Sequence, residues 1–190
     1  CLYIPLAMKQ DRYDDCYAWI TEELKNVEIP HIEMVRSADE LSTKNLNDYS
    51  VIFVGGGNTF KLLKELKVCQ AFEKIKEYLH NGGVVFGGSA GAIIFGKDLE
   101  ACRLDDVNEV NLTDTNGFDL LDGISILCHY TNGTAEKEEV SRQYLLELSH
   151  HKKVVALPEE VTLFLNDGCV EVIGDKPYYY FENGVMIRKS

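Results

Sequence analysis

A strand-like run that passes directly into a glycine-rich turn constrains this chain more than any other segment. Residues 83–86, Gly-Val-Val-Phe, have the apolar character of a buried strand, and the turn Gly-Gly-Ser-Ala-Gly follows at residues 87–91. An apolar helix start comes next, at residues 90–94. Because the residues around Ser89 are small, the chain can reverse sharply between strand and helix without steric clash. This order of elements predicts a nucleophile elbow in an α/β fold.

An elbow at Ser89 would expose its hydroxyl as a nucleophile. The backbone N–H of Ala90 would lie at a helix N-terminus, where it can donate a hydrogen bond to an oxyanion. The alternative is a glycine-rich helix N-cap that holds an ordinary serine. The strand before the turn and the helix after it favour the elbow.

Strand and helix patterns alternate over most of the chain and then give way to short strands. Apolar runs predict strands at residues 3–6, 33–35, 49–54, 83–86, 124–128 and 154–157, and helices are predicted at residues 13–25, 59–66, 69–80 and 136–148. The polar, turn-rich residues 97–123 predict a surface loop. Four short runs follow at residues 161–165, 169–173, 178–181 and 185–187, separated by hairpin turns. The pattern predicts one α/β domain over residues 1–190, with a mainly parallel sheet, helices on both faces and a C-terminal antiparallel meander.

The net charge and the cysteines limit which binding partners and which cellular compartment are expected. The net charge is −12 and the longest basic run is residues 150–153, which argues against nucleic acid or an anionic membrane as partner. No segment approaches 18 consecutive apolar residues, so no membrane span is predicted. The six cysteines are scattered without a C-x-x-C pair, which predicts reduced thiols and a cytoplasmic protein.

The predicted strands end in segments that suit ligand binding. Open parallel sheets bind ligands beyond the carboxyl ends of their strands. Besides Ser89, the segments at those ends are residues 55–58 (Gly-Gly-Gly-Asn), 129–130 and 158–160. The first of them opens a helix, so it is either a tight βα turn or a cradle whose N–H groups bind an anion, such as a second oxyanion donor beside Ser89. It has neither the Walker lysine nor the G-x-G-x-x-G pattern of nucleotide sites.

His129 and Glu159 are the candidate partners of Ser89. A lone histidine at a strand end is usually a satisfied polar residue, but His129 ends a predicted central strand as Ser89 does. Glu159 is either a solvated turn residue or the group that orients an imidazole. The chain order Ser, His, Glu differs from the order Ser, acid, His of the α/β-hydrolases, which argues against that fold.

Five stretches taken together resemble the peptidase E family, the α-aspartyl dipeptidase family of serine peptidases. They are residues 55–63, 88–92, 114–119, 129–132 and 157–159, and they follow the family's order from about residue 3 to 173. The resemblance implies a flavodoxin-like fold akin to class I glutamine amidotransferases, in a single hydrolytic domain. It implies a nucleophile, a base and a third triad member, which are Ser89, His129 and Glu159. It also implies an oxyanion hole formed by the N–H groups of Gly57 and Ala90.

The departures from the family pattern concern specificity and the N-terminus. Gly88 stands where the family's dipeptidases commonly carry tryptophan, and residues 127–128 are Leu-Cys where they carry Asn-Pro. The arginine expected on the following helix aligns with Ser141, next to Arg142. The family's first strand has no counterpart, so we expect residues to precede Cys1.

The resemblance also implies the substrate class and a set of binding residues. The acidic residue expected after the elbow corresponds to Asp105 or Asp106. The candidate substrate-binding residues are Arg142, Asp105 and Asn58, and Arg103, in the loop after the elbow helix, is the alternative to Arg142 as the cation. The implied reaction is hydrolysis of small peptides, Asp-Xaa dipeptides first, without a metal or an organic cofactor. The alternatives are a relative that cleaves β-aspartyl or cyanophycin-like links, and a catalytically silent binding protein that kept the elbow; a homodimer is left open.

Overall fold

The computed structural model describes residues 1–190, which divide into two units. The first unit comprises Cys1–Ile94 and Asp106–Thr115, and the second comprises Phe95–Asp105 and Asn116–Ser190. The chain therefore passes from one unit to the other three times. No helix is long and apolar enough to cross a membrane. The interpretation of residues 1–190 as one hydrolytic domain stays a prediction.

A four-stranded parallel sheet is the centre of the first unit. Its strand order is β2-β1-β3-β4, with β1 at Leu2–Ile4, β2 at Glu33–Met34, β3 at Ile52–Val54 and β4 at Val85–Gly87. Every side chain of β1 and β3 is buried, as expected of continuous apolar runs in a parallel sheet. The register pairs Val54 with Gly87, so the elbow turn begins beside the end of β3.

One helix follows each strand of the first unit, except that two helices lie between β3 and β4. The helices are α1 at Tyr13–Glu23, α2 at Ala38–Thr43, α3 at Thr59–Val68, α4 at Ala71–His80 and α5 at Ala90–Ile93, with 3-10 turns at Gln10–Arg12 and Leu46–Asp48. The sequence analysis missed α2, which has six residues and one buried side chain. The signal that could have found it is the Ser-x-x-Glu capping pattern, because the side chain of Ser37 accepts a hydrogen bond from the N–H of Glu40 at 3.1 Å.

The second unit is built on a mixed sheet with the strand order β10-β9-β6-β5. Strands β5 (Ile124–Leu127) and β6 (Lys153–Ala156) are parallel, and β9 (Tyr178–Glu182) and β10 (Val185–Lys189) are antiparallel. Helix α6 (Ala135–Leu148) connects β5 to β6. Strands β7 (Thr162–Asn166) and β8 (Cys169–Ile173) form a separate hairpin. Both hairpins turn through two residues with positive φ, as type I′ turns require.

The predicted α/β class with a mainly parallel sheet and C-terminal antiparallel strands is confirmed, with one correction to the loop at residues 97–123. This segment is not entirely at the surface, because Leu99, just before a 3-10 turn at Glu100–Cys102, and Cys102, at the end of that turn, are fully buried. Asp98 is buried with them and accepts hydrogen bonds from the hydroxyl of Ser125 and the ammonium of Lys152. These partners offset the cost of burying a carboxylate, and polar composition therefore misled the prediction.

Candidate active site

The predicted site residues are distributed over both units. Gly57, Asn58, Ser89 and Ala90 belong to the first, whereas Asp105, His129, Arg142 and Glu159 belong to the second. Each group has its own local geometry.

Ser89 occupies a strained backbone position between β4 and α5. Its φ is 52° and its ψ is −115°, a combination that L-residues rarely adopt. The carbonyl of Ser89 accepts hydrogen bonds from the N–H groups of Ala92 at 2.8 Å and Ile93 at 3.0 Å, so the helix begins immediately after the serine. The strand, the strained serine and the immediate helix are the geometry of a nucleophile elbow.

Glycines on both sides of Ser89 make this turn sterically feasible. A Cβ on Gly87 would lie 2.3 Å from the carbonyl oxygen of Gly91, and a Cβ on Gly91 would lie 2.1 Å from that of Val54. Both positions therefore exclude any side chain. Gly88 differs, because a Cβ there would meet only the ring of Phe53, at an ordinary 3.8 Å. The position before the serine thus has room for a side chain that this sequence does not use.

The glycine-rich turn after β3 packs against the side chain of Ser89. A Cβ on Gly56 would lie 3.1 Å from the Cβ of Ser89 and 3.6 Å from its Oγ. Gly57 has a φ of 135°, and a Cβ on it would lie 2.6 Å from the carbonyl of Ala7. The turn is therefore held against the loop after β1 on one side and against the serine on the other.

Asn58 and Asp106 organise the start of α3. The Oδ1 of Asn58 accepts a hydrogen bond from the N–H of Lys61 at 2.9 Å, and its Nδ2 donates to the carbonyl of Val107 at 2.9 Å. Asp106 accepts hydrogen bonds from both the N–H and the hydroxyl of Thr59. A substrate that binds the side chain of Asn58 would have to replace one of these bonds.

In the second unit, the structure brings His129 and Glu159 together. Strands β5 and β6 are parallel neighbours with Leu127 opposite Ala156, so both residues lie beyond the carboxyl end of the same strand pair. Strand β5 is the edge strand of its sheet and not the central strand that was predicted to precede His129. The Nδ1 of His129 lies 3.0 Å from Oε1 of Glu159. A carboxylate at this distance accepts a hydrogen bond from Nδ1 in the tautomer that carries its proton there. Just over half of each side chain is exposed, 53% for His129 and 60% for Glu159.

Sequence reasoning assigned no role to Asn132, which links the two segments. Its Oδ1 accepts a hydrogen bond from the backbone N–H of Glu159 at 2.9 Å, and its own N–H donates to the carbonyl of His129 at 3.2 Å. His129 and Thr131 both have positive φ, 60° and 68°, so the turn between them is tight. Asparagine is typical of such turns, which is the one sequence signal that pointed to this position.

A cavity of about 90 Å³ in the second unit lies against His129. Its walls are residues 127–133 and the side chains of Asp105, Lys137, Glu138 and Ser141. Asp105 and Lys137 form an ion pair at 3.4 Å. Burial raises the pKa of the Cys128 thiol to about 12, so this wall residue is a neutral thiol near pH 7.

Arg142, the predicted substrate-binding cation, forms a fork with Glu139 on α6. Its Nε donates to Oε2 at 2.9 Å and its Nη2 donates to Oε1 at 2.6 Å. The hydrogen bond from the guanidinium lowers the pKa of the Glu139 carboxyl, and the same contact raises the pKa of Arg142. The cavity beside His129 is lined by Ser141, the preceding residue, and not by Arg142.

Comparison with known proteins identifies relatives along nearly the whole chain. The profile of peptidase family S51 matches residues 1–173. Peptidase E of Salmonella paratyphi A (strain ATCC 9150 / SARB42) is 30% identical over 190 residues, covering 96% of this chain and 80% of the relative. Peptidase E of Salmonella typhi is 29% identical with the same coverage.

Two solved structures are similar to the fold. A protein assigned as a peptidase E from Listeria monocytogenes EGD-e superposes with a TM-score of 0.75 at 27% identity, covering 92% of this chain and 86% of that chain. A peptidase from an acI-B1 actinobacterium superposes with a TM-score of 0.76 at 18% identity, covering 100% of this chain and 80% of that chain. At that lower identity the likeness concerns the fold alone.

Proposed function

This chain belongs to peptidase family S51, and from that premise we propose that it is a serine peptidase in which Ser89, His129 and Glu159 act as a catalytic triad. The observation that carries the proposal is the backbone of Ser89, which has a φ of 52° in a turn whose glycines admit no side chain. A conformation of this kind costs free energy, and proteins keep it where the side chain must be presented to a reactant.

The proposed reaction is acyl transfer through an enzyme ester. Ser89 Oγ attacks the scissile carbonyl carbon while Nε2 of His129 takes the hydroxyl proton. The tetrahedral intermediate collapses, the peptide C–N bond breaks, and His129 returns the proton to the leaving amine. Water then attacks the acyl-enzyme, with His129 again as base, and releases the acid and the free serine. The step requires about 2.6–3.2 Å between Nε2 and Oγ in the reacting complex.

Glu159 and the backbone supply electrostatic support in this scheme. The 3.0 Å contact with Glu159 keeps the proton on Nδ1 of His129, which leaves the other ring nitrogen as the base, and stabilises the imidazolium that forms. The N–H groups of Gly57 and Ala90 donate to the oxyanion, and each such donor is typically worth about 3 kcal/mol in the transition state. The approach of Gly56 to the Ser89 side chain supports this use of the glycine-rich turn.

For the substrate we propose Asp-Xaa dipeptides. An acidic side chain in a confined site needs a nearby cation, and a protein of net charge −12 provides no general attraction for it. Arg142 is the proposed cation, which exchanges Glu139 for the substrate carboxylate. Asp105 and Asn58 are the proposed polar contacts to the rest of the dipeptide. A β-aspartyl or cyanophycin-like substrate, and a silent binding protein that retains the elbow, are the alternatives.

Two measurements test the proposal. A fluorophosphonate should label the wild type and the matched exposed-serine control Ser50→Ala, but not Ser89→Ala. A panel of dipeptides with Asp, β-linked Asp, Asn and Ala at the first position should show turnover of Asp-Xaa first. Labelling without any turnover would support another hydrolase substrate, whereas neither labelling nor turnover would support the silent binding protein.

A cytoplasmic location is part of the proposal. All six cysteines are free thiols, which suits a reducing compartment. Fractionation of cells that express the tagged protein tests it.

A further inference from the structure

We propose that Asn132 is a positioning residue, which holds Glu159 where its carboxylate contacts His129. The inference rests on the proposed function, because it gives Asn132 a task only if His129 and Glu159 act together. Its basis is the 2.9 Å hydrogen bond from the backbone N–H of Glu159 to Oδ1 of Asn132. A side chain on the histidine turn thus fixes the main chain of the glutamate.

Glu159 needs such an anchor because the strand ends before it. Strand β6 ends at Ala156, and the pairing between the two segments continues only through Leu157. There the N–H of Leu157 donates to the carbonyl of Leu127 at 2.9 Å, and the carbonyl of Leu157 accepts from the N–H of Tyr130 at 3.0 Å. The next residue, Pro158, has no N–H to donate. Glu159 therefore carries the first N–H beyond the ladder, and Asn132 accepts it.

The turn that carries Asn132 is itself well fixed. His129 and Thr131 have φ values of 60° and 68°, and the N–H of Asn132 donates to the carbonyl of His129 at 3.2 Å. The catalytic imidazole and the anchoring amide thus belong to one tight turn of four residues. Movement of that turn would carry both groups together, so Asn132 sets the distance between the histidine turn and the main chain from which the glutamate side chain reaches His129.

The test replaces Asn132 by leucine, which has nearly the same shape without the acceptor. Asn132→Leu should lower kcat on the cleaved dipeptide about tenfold and leave KM within about twofold, as expected when one hydrogen bond that orients a catalytic group is lost. Asn132→Asp keeps an acceptor oxygen and should restore kcat to within about threefold of the wild type. Asn26→Leu, at an exposed turn of the first unit, is the matched control and should be silent.

A double-mutant cycle separates positioning from a purely structural role. In a Glu159→Ala background the glutamate side chain is gone, so Asn132→Leu should cost less than about twofold in kcat. An equal loss in both backgrounds would overturn the proposal, as would a loss confined to KM.

A readout without turnover distinguishes failure of this inference from failure of the proposed function. Long-range ¹H–¹⁵N NMR correlations of the His129 ring, recorded where the imidazole is neutral, report which nitrogen carries the proton. The wild type and Asn132→Asp should hold it on Nδ1, and Asn132→Leu should shift it toward Nε2. If the wild type cleaves no peptide and the ring signals still change in this way, the proposed function fails and the positioning role stands. Unchanged signals of the His129 ring in Asn132→Leu would contradict the positioning role.

Discussion

At the residue scale, Ser89 and His129 share an uncommon property, a side chain on a backbone with positive φ. The values are 52° and 60°. Such conformations cost about 1–3 kcal/mol each when the residue is not glycine. The surrounding hydrogen bonds and glycine contacts hold them in place, so the cost is borne by the rest of the fold. Both residues are candidates for chemistry and neither is needed for a core.

The strained backbone at Ser89 predicts that a single substitution can raise the stability of the protein while abolishing its activity. Ser89→Gly should abolish turnover and raise the free energy of unfolding by about 1 kcal/mol, because relief of strain outweighs the roughly 0.5–1 kcal/mol that glycine costs in chain entropy. Ser89→Ala keeps the strain, so it should be inactive without being stabilised. Urea denaturation of the three proteins measures the difference. Equal stability of the glycine and alanine variants would show that the serine backbone is relaxed in solution.

Arg142 yields a second prediction at this scale. Arg142→Met should raise KM for Asp-Xaa dipeptides about tenfold or more and leave a neutral dipeptide within about twofold, because an unpaired carboxylate in the pocket loses its charged hydrogen bonds. The control is Arg12→Met, since Arg12 is likewise paired with a carboxylate three residues along the chain, Asp15. Steady-state kinetics with both substrates measures the effect. A parallel change for both substrates, or an equal effect in the control, would remove Arg142 from the binding site.

At the element scale, the elbow is a backbone-to-backbone contact between α5 and β3. Gly91 approaches the carbonyl of Val54 so closely that no Cβ fits, whereas a Cβ on Gly88 would make only an ordinary contact with the ring of Phe53. The short helix can begin directly after the strand because Gly91 has no side chain at the point where α5 contacts β3.

Paired substitutions at the two glycines test this packing. Gly91→Ala should destabilise the protein by about 2–3 kcal/mol, because the new methyl group would overlap a main-chain carbonyl that cannot move without disturbing β3. Gly88→Ala should change stability by less than about 0.5 kcal/mol. Thermal and urea unfolding check both values. Similar stabilities for the two variants would contradict the close contact with Val54.

The sequence was most informative where a long apolar run or a defined turn determines an element. The buried strands β1 and β3 and the elbow follow from such patterns, and so does the neighbourhood of His129 and Glu159, because parallel neighbouring strands end at the same edge. The strand before the elbow was predicted to be buried, but β4 lies at the edge of its sheet, with Val84 58% and Phe86 45% exposed. Helix α2 escaped because six mostly polar residues carry little periodicity. The role of Asn132 escaped because its partner is a main-chain N–H, which every residue except proline possesses and which no side-chain pattern indicates.

The C-terminal strands show a further limit of sequence patterns. Four short runs were predicted as one meander, and all four strands are present. The hairpin of β7 and β8 nevertheless pairs only with itself, whereas β9 joins β6. Alternation and turn residues identify strands and hairpins, but the choice of a neighbouring strand depends on packing between distant segments. The pairing of these strands therefore cannot be predicted from the local sequence pattern.

At the scale of the whole molecule, net charge sets the approach of a charged substrate. A chain with a net charge of −12 repels an acidic dipeptide at long range, and salt screens this repulsion over a Debye length of about 10 Å at 0.1 M. An ion pair between the substrate carboxylate and a cation in the site acts over a shorter distance, so salt screens it less. KM for Asp-Xaa should therefore fall about twofold between 0.02 and 0.2 M salt, with a neutral dipeptide unaffected. Kinetics across a salt series checks this, and a rise in KM would mean that local attraction dominates the approach.

The three passages of the chain between its units impose an order on biosynthesis. Residues 106–115 complete the first unit from outside its main segment, since Asp106 caps Thr59 at the start of α3, and Lys64 and Lys67 of that helix donate to Val110 and Asp114. A nascent chain that has left the ribosome as far as Ile94 contains the residues of the serine turn but lacks the partners of α3. The first unit can reach its final form only after Thr115 has been translated and released, by which time the second unit has begun to emerge.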